Sequence, residues 1–169
     1  MSDITLKPIS APRDFDDVLD LAERARDYVV LEVGHPADDA YVRDFFEACP
    51  PGRTSDSLIH FAVMRGQEMA GIVGIASGYE QPDDWWIGLM LLDPAYRGSG
   101  IGHTVIKLIR RLARNERIAM LKLSVLDANP RGESFWRREG FVTHRVAPAT
   151  PESDGHDRVV LRYQIREDD

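Results

Sequence analysis

Cys49 is the only cysteine in 169 residues, so the chain can form neither an intrachain disulfide nor a cysteine-built metal site. Its setting, "EACPPG", closes an amphipathic segment in a proline turn, where a thiol reads as idle rather than nucleophilic. Long hydrophobic runs are missing as well. The longest, Trp85 to Leu92, is far too short to cross a bilayer. The opening "MSDITLKPIS" has no basic leader followed by an apolar stretch, so a soluble, cytoplasmic protein is expected. Positive charge is in deficit, with 21 Lys+Arg against 28 Asp+Glu and a net charge of −7. That balance excludes a chain whose main task is holding nucleic acid. No histidine cluster has metal-ligand spacing, so no metal is expected, and His60 and His144 read as strand residues. Neither a repeat nor a linker interrupts the chain, and a single domain over 1–169 is the expectation.

What the chain does contain is a mixed order of strands and helices. Ile4 and Leu6 alternate with polar residues, as in a short strand. Phe15, Val18, Leu19, Ala22 and Ala25 then recur at helical spacing, and a second amphipathic segment runs from about Pro36 to Ala48. Three strand-like runs follow, "LIHFAVM", "MAGIVGIAS" and "WWIGLMLL", the first two joined by the short connection "RGQE". A helix from Ile101 to about Arg114 carries an apolar stripe of Ile101, Val105, Leu108, Ile109 and Leu112. Beyond it lie the strand "MLKLSVL", the helix-like "RGESFWRRE" with Gly140 as its cap, and two last strands, "FVTHRVA" and "RVVLRYQI". Several hairpins in this order predict a largely antiparallel sheet.

Between the "DP" corner and the Ile101 helix stands "RGSGIGHT". A dinucleotide fingerprint would need glycine where His103 stands, and a P-loop would need a lysine that is absent. What remains is Arg97-x-x-Gly100-x-Gly102 at a helix N-terminus. The first N–H groups of a helix lack internal partners, and its dipole adds positive potential there. Glycines let an anion approach those donors without meeting a Cβ, and an arginine fork suits phosphate. The same glycines would also serve a plain connecting turn.

The stretch "LMLLDPAYRGSGIG" resembles the strand, corner and pyrophosphate loop of the GNAT acyltransferase superfamily, whose loop pattern is [QR]-x-x-G-x-[GA]. Downstream, "NPRGESFWRREGF" resembles that family's N-x-x-A-x-x-x-Y-x-x-x-G-F, with Asn129, Gly140 and Phe141 in register. The resemblance spans about Ile4 to Tyr163. It implies an α/β (α+β) fold, a mixed and mostly antiparallel sheet of six to seven strands with about four helices and splayed central strands. It also implies an N-acetyltransferase that uses acetyl-CoA. By position, the backbone of Met90, Leu91 and Leu92 would pair with pantetheine. Arg97, Gly98, Ser99, Gly100, Ile101, Gly102 and His103 would hold the pyrophosphate, and Asn129 the pantetheine arm. For Asn129 an Asx-type turn is an equal reading of "DANP".

The implied reaction is direct attack of an amine on the thioester in a ternary complex. An alkylamine of pKa ~10.4 costs about 4.6 kcal/mol to deprotonate at pH 7, against about 2 kcal/mol for expelling a thiol of pKa ~8.5. The base is therefore the larger problem, and a strand N–H near Met90 would meet the oxyanion. Here the sequence departs from the family. Trp136 holds the position of the usual acid tyrosine, and an indole gives up no proton at these pH values. Tyr96 and Tyr79 are the substitutes on offer, and Asp84 is the candidate base acting through water. The acceptor should lie between the first helices and the loop before the last strand, where Asp16, Asp17, Asp20, Asp27, Glu32, Asp38, Asp39, Glu152, Asp154 and Asp157 favour a cationic amine, small molecule or peptide. Alternatively Trp85 and Trp86 line an apolar acceptor pocket. A homodimer is compatible with the resemblance. The competing reading is a non-catalytic coenzyme-A-binding module; an ATP-binding loop lacks the lysine and magnesium ligands it would need.

Overall fold

The computed structural model describes residues 3–150 and 155–169. Seven strands form one sheet in the order β1-β2-β3-β4-β5-β7-β6. They are β1 (Ile4–Pro8), β2 (Leu58–Arg65), β3 (Glu68–Ser77), β4 (Asp84–Leu92), β5 (Met120–Leu126), β6 (Val142–Ala147) and β7 (Arg158–Gln164). Every neighbouring pair is antiparallel except β4 and β5. That one parallel pair needs a crossover, which the chain makes through α4 (Ile101–Asn115).

Three helices precede the second strand: α1 (Phe15–Arg24), α2 (Arg26–Val33) and α3 (Asp39–Glu47). The sequence pattern foresees α1 and α3 but not α2. In "RDYVVLEV" the apolar residues are spread round the helix, and only Val29 is fully buried, so no stripe announces it. Gly34 ends α2 in the left-handed region at φ 80°, and Asp38 starts α3 by accepting from the Tyr41 N–H at 2.9 Å. The count is thus five α-helices among the described residues, with α5 (Pro130–Arg138) the last, rather than about four.

The helices divide the core in two. On one face of the sheet α1, α2 and α3 pack Val18, Leu21, Val29 and Val42 against Ala62, Ile72 and Leu91. On the other, α4 and α5 pack Val105, Ile106, Ile109 and Trp136 against Val73, Trp85, Leu121 and Leu161. Val105, Ile106 and Ile109 have no solvent exposure, and each contributes about 1.5–3 kcal/mol by leaving water.

One irregularity in β4 shapes the middle of the sheet. Gly74 on β3 faces Leu89, and Ile75 faces Ile87, which leaves Gly88 without a partner as a bulge. An extra residue flips the alternation of side chains. Before it, Trp85 and Ile87 enter the α4–α5 core; after it, Leu89 and Leu91 enter the α1–α3 core.

Candidate active site

The bulge also marks where two strands part. β4 pairs with β5 only from Asp84 to Ile87, against Met120 to Leu123. β5 runs on to Leu126 beside β7, while β4 runs on to Leu92 beside β3. Between them a wedge opens, and the β5-facing backbone edge of Gly88 to Leu92 has no strand beside it. Met90, Leu91 and Leu92 lie on this open edge. Leu91 buries its side chain, and Met90 and Leu92 are half-buried against the α4–α5 core.

At the end of β4 the chain turns through a built corner. Asp93 accepts from the Ala95 N–H at 2.9 Å and from Arg24 Nε of α1 at 2.6 Å. Burial opposes the charge on Asp93, but these two donors outweigh it and hold the carboxyl below its ordinary range. The loop that follows is left-handed at Gly98 (φ 73°) and at Gly100 (φ 84°), and no atom lies within 4 Å of the Cβ either would carry. Gly100 occupies the N-cap of α4 without a side-chain cap. Among the described residues none accepts from the N–H groups of Gly98 to His103. Gly102 is the glycine with a packing reason, since its Cβ would stand 3.0 Å from the Phe135 ring. A 15-residue helix therefore points bare donors and the positive end of its dipole at open space.

Arg97 does not add its charge to that nest in the expected way. Its guanidinium is paired with Asp27 of α2, at 2.5 and 3.1 Å, and its Nε donates to the Leu92 carbonyl. His103 is exposed and bonded to Glu139 at 2.9 Å, and the Ser99 hydroxyl donates to the Tyr96 carbonyl. Asn129 caps α5 by accepting from the Gly132 N–H at 3.0 Å, the turn reading of "DANP". The donors left open at this loop are thus main-chain N–H groups.

On the α1–α3 side of the sheet a cavity of about 410 Å³ opens between α2, α3 and strands β2 to β4. Gly88 and Leu89, the first residues past the β4–β5 pairing, form part of its wall. Phe45 of α3 reaches its floor, and its ring lies 3.1 Å from where a Cβ on Gly74 would be. Trp86, Leu58 and Val33 supply further apolar wall. The polar groups are few. Tyr41 donates to Glu32 at 2.9 Å, and burial, reinforced by Glu32, pushes its phenol far above the ordinary range. His60 bonds through Nε2 to the Phe45 carbonyl at 2.9 Å, which makes Nε2 the protonated nitrogen. Burial holds the His60 pKa down, so the ring is neutral at pH 7.

The residues expected to move protons sit elsewhere. Asp84 is 4% exposed and accepts from Lys122 Nζ at 2.6 Å; Lys122 also reaches Glu80 at 2.7 Å. That carboxylate is committed to a buried ammonium and is not part of the cavity lining, so it is not placed to take a proton from an amine there. Tyr96 donates to Glu68 and faces a second groove with Asp14, Asp17, Asp20 and Asp93, away from the cavity. That bond to Glu68 raises its pKa, which makes it a poorer acid. Trp136 packs edge-on against Phe135 and Phe141 inside the α4–α5 core. Tyr79 stands edge-on to Trp86, 5.4 Å between centroids.

Among the described acids expected round an acceptor, only Glu32 lines the cavity. Asp17 and Asp20 face the second groove, Asp27 is paired with Arg97, Asp38 caps α3, and Asp157 accepts from the Ala149 N–H. Glu152 and Asp154 lie outside the described residues. Of the tryptophan pair, Trp86 lines the cavity while Trp85 is buried in the opposite core. Phe45, Tyr41 and His60 escaped notice as site residues because their sequence signals are those of ordinary core positions. The spacing of Tyr41 and Phe45, one helical turn apart, was their only trace.

Comparison with known proteins agrees with this geometry. The profile of the acetyltransferase (GNAT) family matches residues 16–141. No curated protein matches the chain. An acetyltransferase from Thermus thermophilus superposes with a TM-score of 0.74 at 21% identity, over 95% of this chain and 96% of that one. The ribosomal-protein-S18-alanine N-acetyltransferase from Escherichia coli gives 0.70 at 14% identity, over 96% and 94%. Ard1 from Thermoplasma volcanium gives 0.69 at 19% identity, over 97% and 99%. At such identities these structures share the fold. With the family profile covering most of the sequence, the chain belongs to the GNAT acetyltransferase family.

Proposed function

We propose that the protein moves an acetyl group from acetyl-CoA to a primary amine seated in the cavity beside Gly88, by direct attack in a ternary complex. One observation carries this reading. Gly88 and Leu89 belong at once to the acceptor-sized cavity and to the open edge of the β4–β5 wedge, so a bound amine and a chain threaded into the wedge would meet there.

The residues present fit the coenzyme. The uncapped start of α4 and the side-chain-free positions Gly98 and Gly100 leave room and donors for a pyrophosphate. The exposed edge of Met90 to Leu92 offers main-chain groups to the pantetheine amides, as an added strand would receive them. Acetyl-CoA supplies the acyl thioester: the amine nitrogen bonds to the carbonyl carbon, the C–S bond breaks with its electron pair leaving on sulfur, and the amine's proton passes to solvent or the thiolate. A β4 N–H beside the bulge polarises the thioester oxygen, a fixed donor of the type worth about 2.7–4 kcal/mol in acyl transfer.

No carboxylate is needed to take the proton first. Desolvation by Phe45, Leu58 and Trp86 disfavours the ammonium form, which lowers the amine's pKa in place. That reduces the ~4.6 kcal/mol that deprotonation at pH 7 costs in water.

The second reading, a coenzyme-binding module without catalysis, draws on Trp136, which packs in the core at the family's acid position. Incubation with acetyl-CoA and a panel of amines, followed by free thiol, separates the two. Amine-dependent thiol release is the expected result. Coenzyme binding in calorimetry with no turnover would favour the module, and absence of binding would refute the site.

A further inference from the structure

Resting on that reading, we infer that the acceptor is a monoamine carried on an apolar, ring-sized body, such as an arylalkyl or branched alkyl amine, and not a polyamine or an amino sugar. The cavity of about 410 Å³ is of the size that takes a small ligand rather than a polymer. Its apolar surfaces are Phe45, Leu58, Trp86 and Leu89, with Ala76 beside Trp86. Aromatic faces on both the helix and the sheet side suit a flat or branched hydrocarbon placed between them.

The polar groups are too few and too committed for a richly polar guest. His60 Nε2 is bound to the Phe45 carbonyl and the Tyr41 hydroxyl donates to Glu32. Among the described residues, Glu32 and the exposed rim residue Asp44 are the only carboxylates on the lining. A polyamine carries more charges than these can match, and an amino sugar more hydroxyl groups. Each such group left without a partner after desolvation counts against binding. Of the acids that would have favoured a polycation, Asp27 pairs with Arg97, Asp38 caps α3, and Asp17 and Asp20 line the other groove, away from Gly88. With the reactive nitrogen at Gly88, the hydrocarbon body lies along Phe45 and Trp86.

The test compares phenethylamine, isoamylamine, ethylamine, spermidine and kanamycin as acceptors for the 169-residue chain with acetyl-CoA, by thiol release. In parallel, calorimetry measures binding of the same amines to the CoA-loaded protein. Phenethylamine and isoamylamine should exceed ethylamine and spermidine by about tenfold or more in kcat/KM, the scale that added hydrocarbon reaches in such pockets. Trp86→Ala should weaken phenethylamine binding by about tenfold. Ala76→Leu, which fills the cavity without removing a wall, should do the same and covers the case in which the first variant misfolds. Equal or better use of spermidine or kanamycin would overturn the inference and leave acetyl transfer standing. Tight, selective binding of phenethylamine without turnover would support the inference and sink the transfer reading. Failure of phenethylamine to bind the CoA-loaded protein would overturn it outright.

Discussion

Arg97 grips Asp27 with both terminal guanidinium nitrogens, at 2.5 and 3.1 Å, while its Nε holds the Leu92 carbonyl at 3.1 Å. The arginine that opens the glycine loop is thus tied to α2, a helix of the acceptor side. Its positive charge is cancelled at the place where an anion would bind. The same contact holds the Asp27 carboxyl below its ordinary range, with burial opposing.

Asp27→Asn should therefore tighten coenzyme A binding. Removing the carboxylate takes away a repulsion from the phosphates, and the Leu92 carbonyl still anchors the arginine. Because Asp27 is 63% exposed, the gain should stay within about fivefold at low salt and vanish in about 1 M salt. Titration calorimetry at two ionic strengths checks it. Weaker binding at low salt would mean that the pair orders the loop instead.

Two glycines of the loop should fail in different ways. At Gly100 the space for a Cβ is open but φ is 84°, so Gly100→Val meets backbone strain of about 1–3 kcal/mol and puts a side chain in the anion's path. Coenzyme affinity should drop more than about tenfold in a protein that still folds. At Gly102 the φ is ordinary and the Phe135 ring blocks the Cβ at 3.0 Å. Gly102→Ala should cost about 1–3 kcal/mol of stability in thermal unfolding.

Lys122 lies between Asp84 and Glu80, with its side chain 8% exposed. Lys122→Met leaves the buried Asp84 carboxylate without its cation, while Glu80 keeps Arg145 at 2.6 Å, and should cost about 3–5 kcal/mol in urea unfolding. Burial opposes charge on both Glu80 and Lys122, but their partners win: Lys122 and Arg145 lower the Glu80 carboxyl, and Asp84 and Glu80 raise the Lys122 amine. Stability from Glu80 is present above its unfolded pKa of ~4.3 and is lost as pH falls through its lower folded value. Stability from Lys122 is present below ~10.4 and is lost as pH rises through its higher folded value. Glu80→Gln should flatten the loss of stability below pH 4 and reduce the alkaline limb without removing it, because Asp84 still holds Lys122.

Trp136 supports the core and donates no proton. Trp136→Phe should hold kcat within about threefold while lowering the melting temperature by several degrees, the sign of lost packing alone. A fall in kcat of about a hundredfold, the size of general acid catalysis, would assign the indole a part in the chemistry.

The order of elements was readable in the residues because each strand and helix carries its own period. "MLKLSVL" coincides with β5 at both ends, and the Ile101 helix starts where the glycine loop stops. α2 was not readable, since a helix without an apolar stripe leaves no local mark. The bulge was equally hidden. Strict alternation in "WWIGLMLL" puts Trp85, Ile87, Leu89 and Leu91 on one face, and the unpaired Gly88 sends the first two and the last two to opposite cores.

By itself the sequence determined the family motifs, the anion-ready loop and the succession of strands, because these depend on neighbours a few residues apart. Which charges are available for chemistry was decided only by the tertiary structure. Asp84 meets Lys122 across 38 positions, Tyr96 meets Glu68 across 28, and Arg97 meets Asp27 across 70. A titratable side chain takes its role from whatever the fold sets beside it, and partners that distant leave no spacing to read. The cavity beside Gly88 is of the same kind: α3, β2, β3 and β4 each bring an ordinary core residue, and only their meeting makes the space.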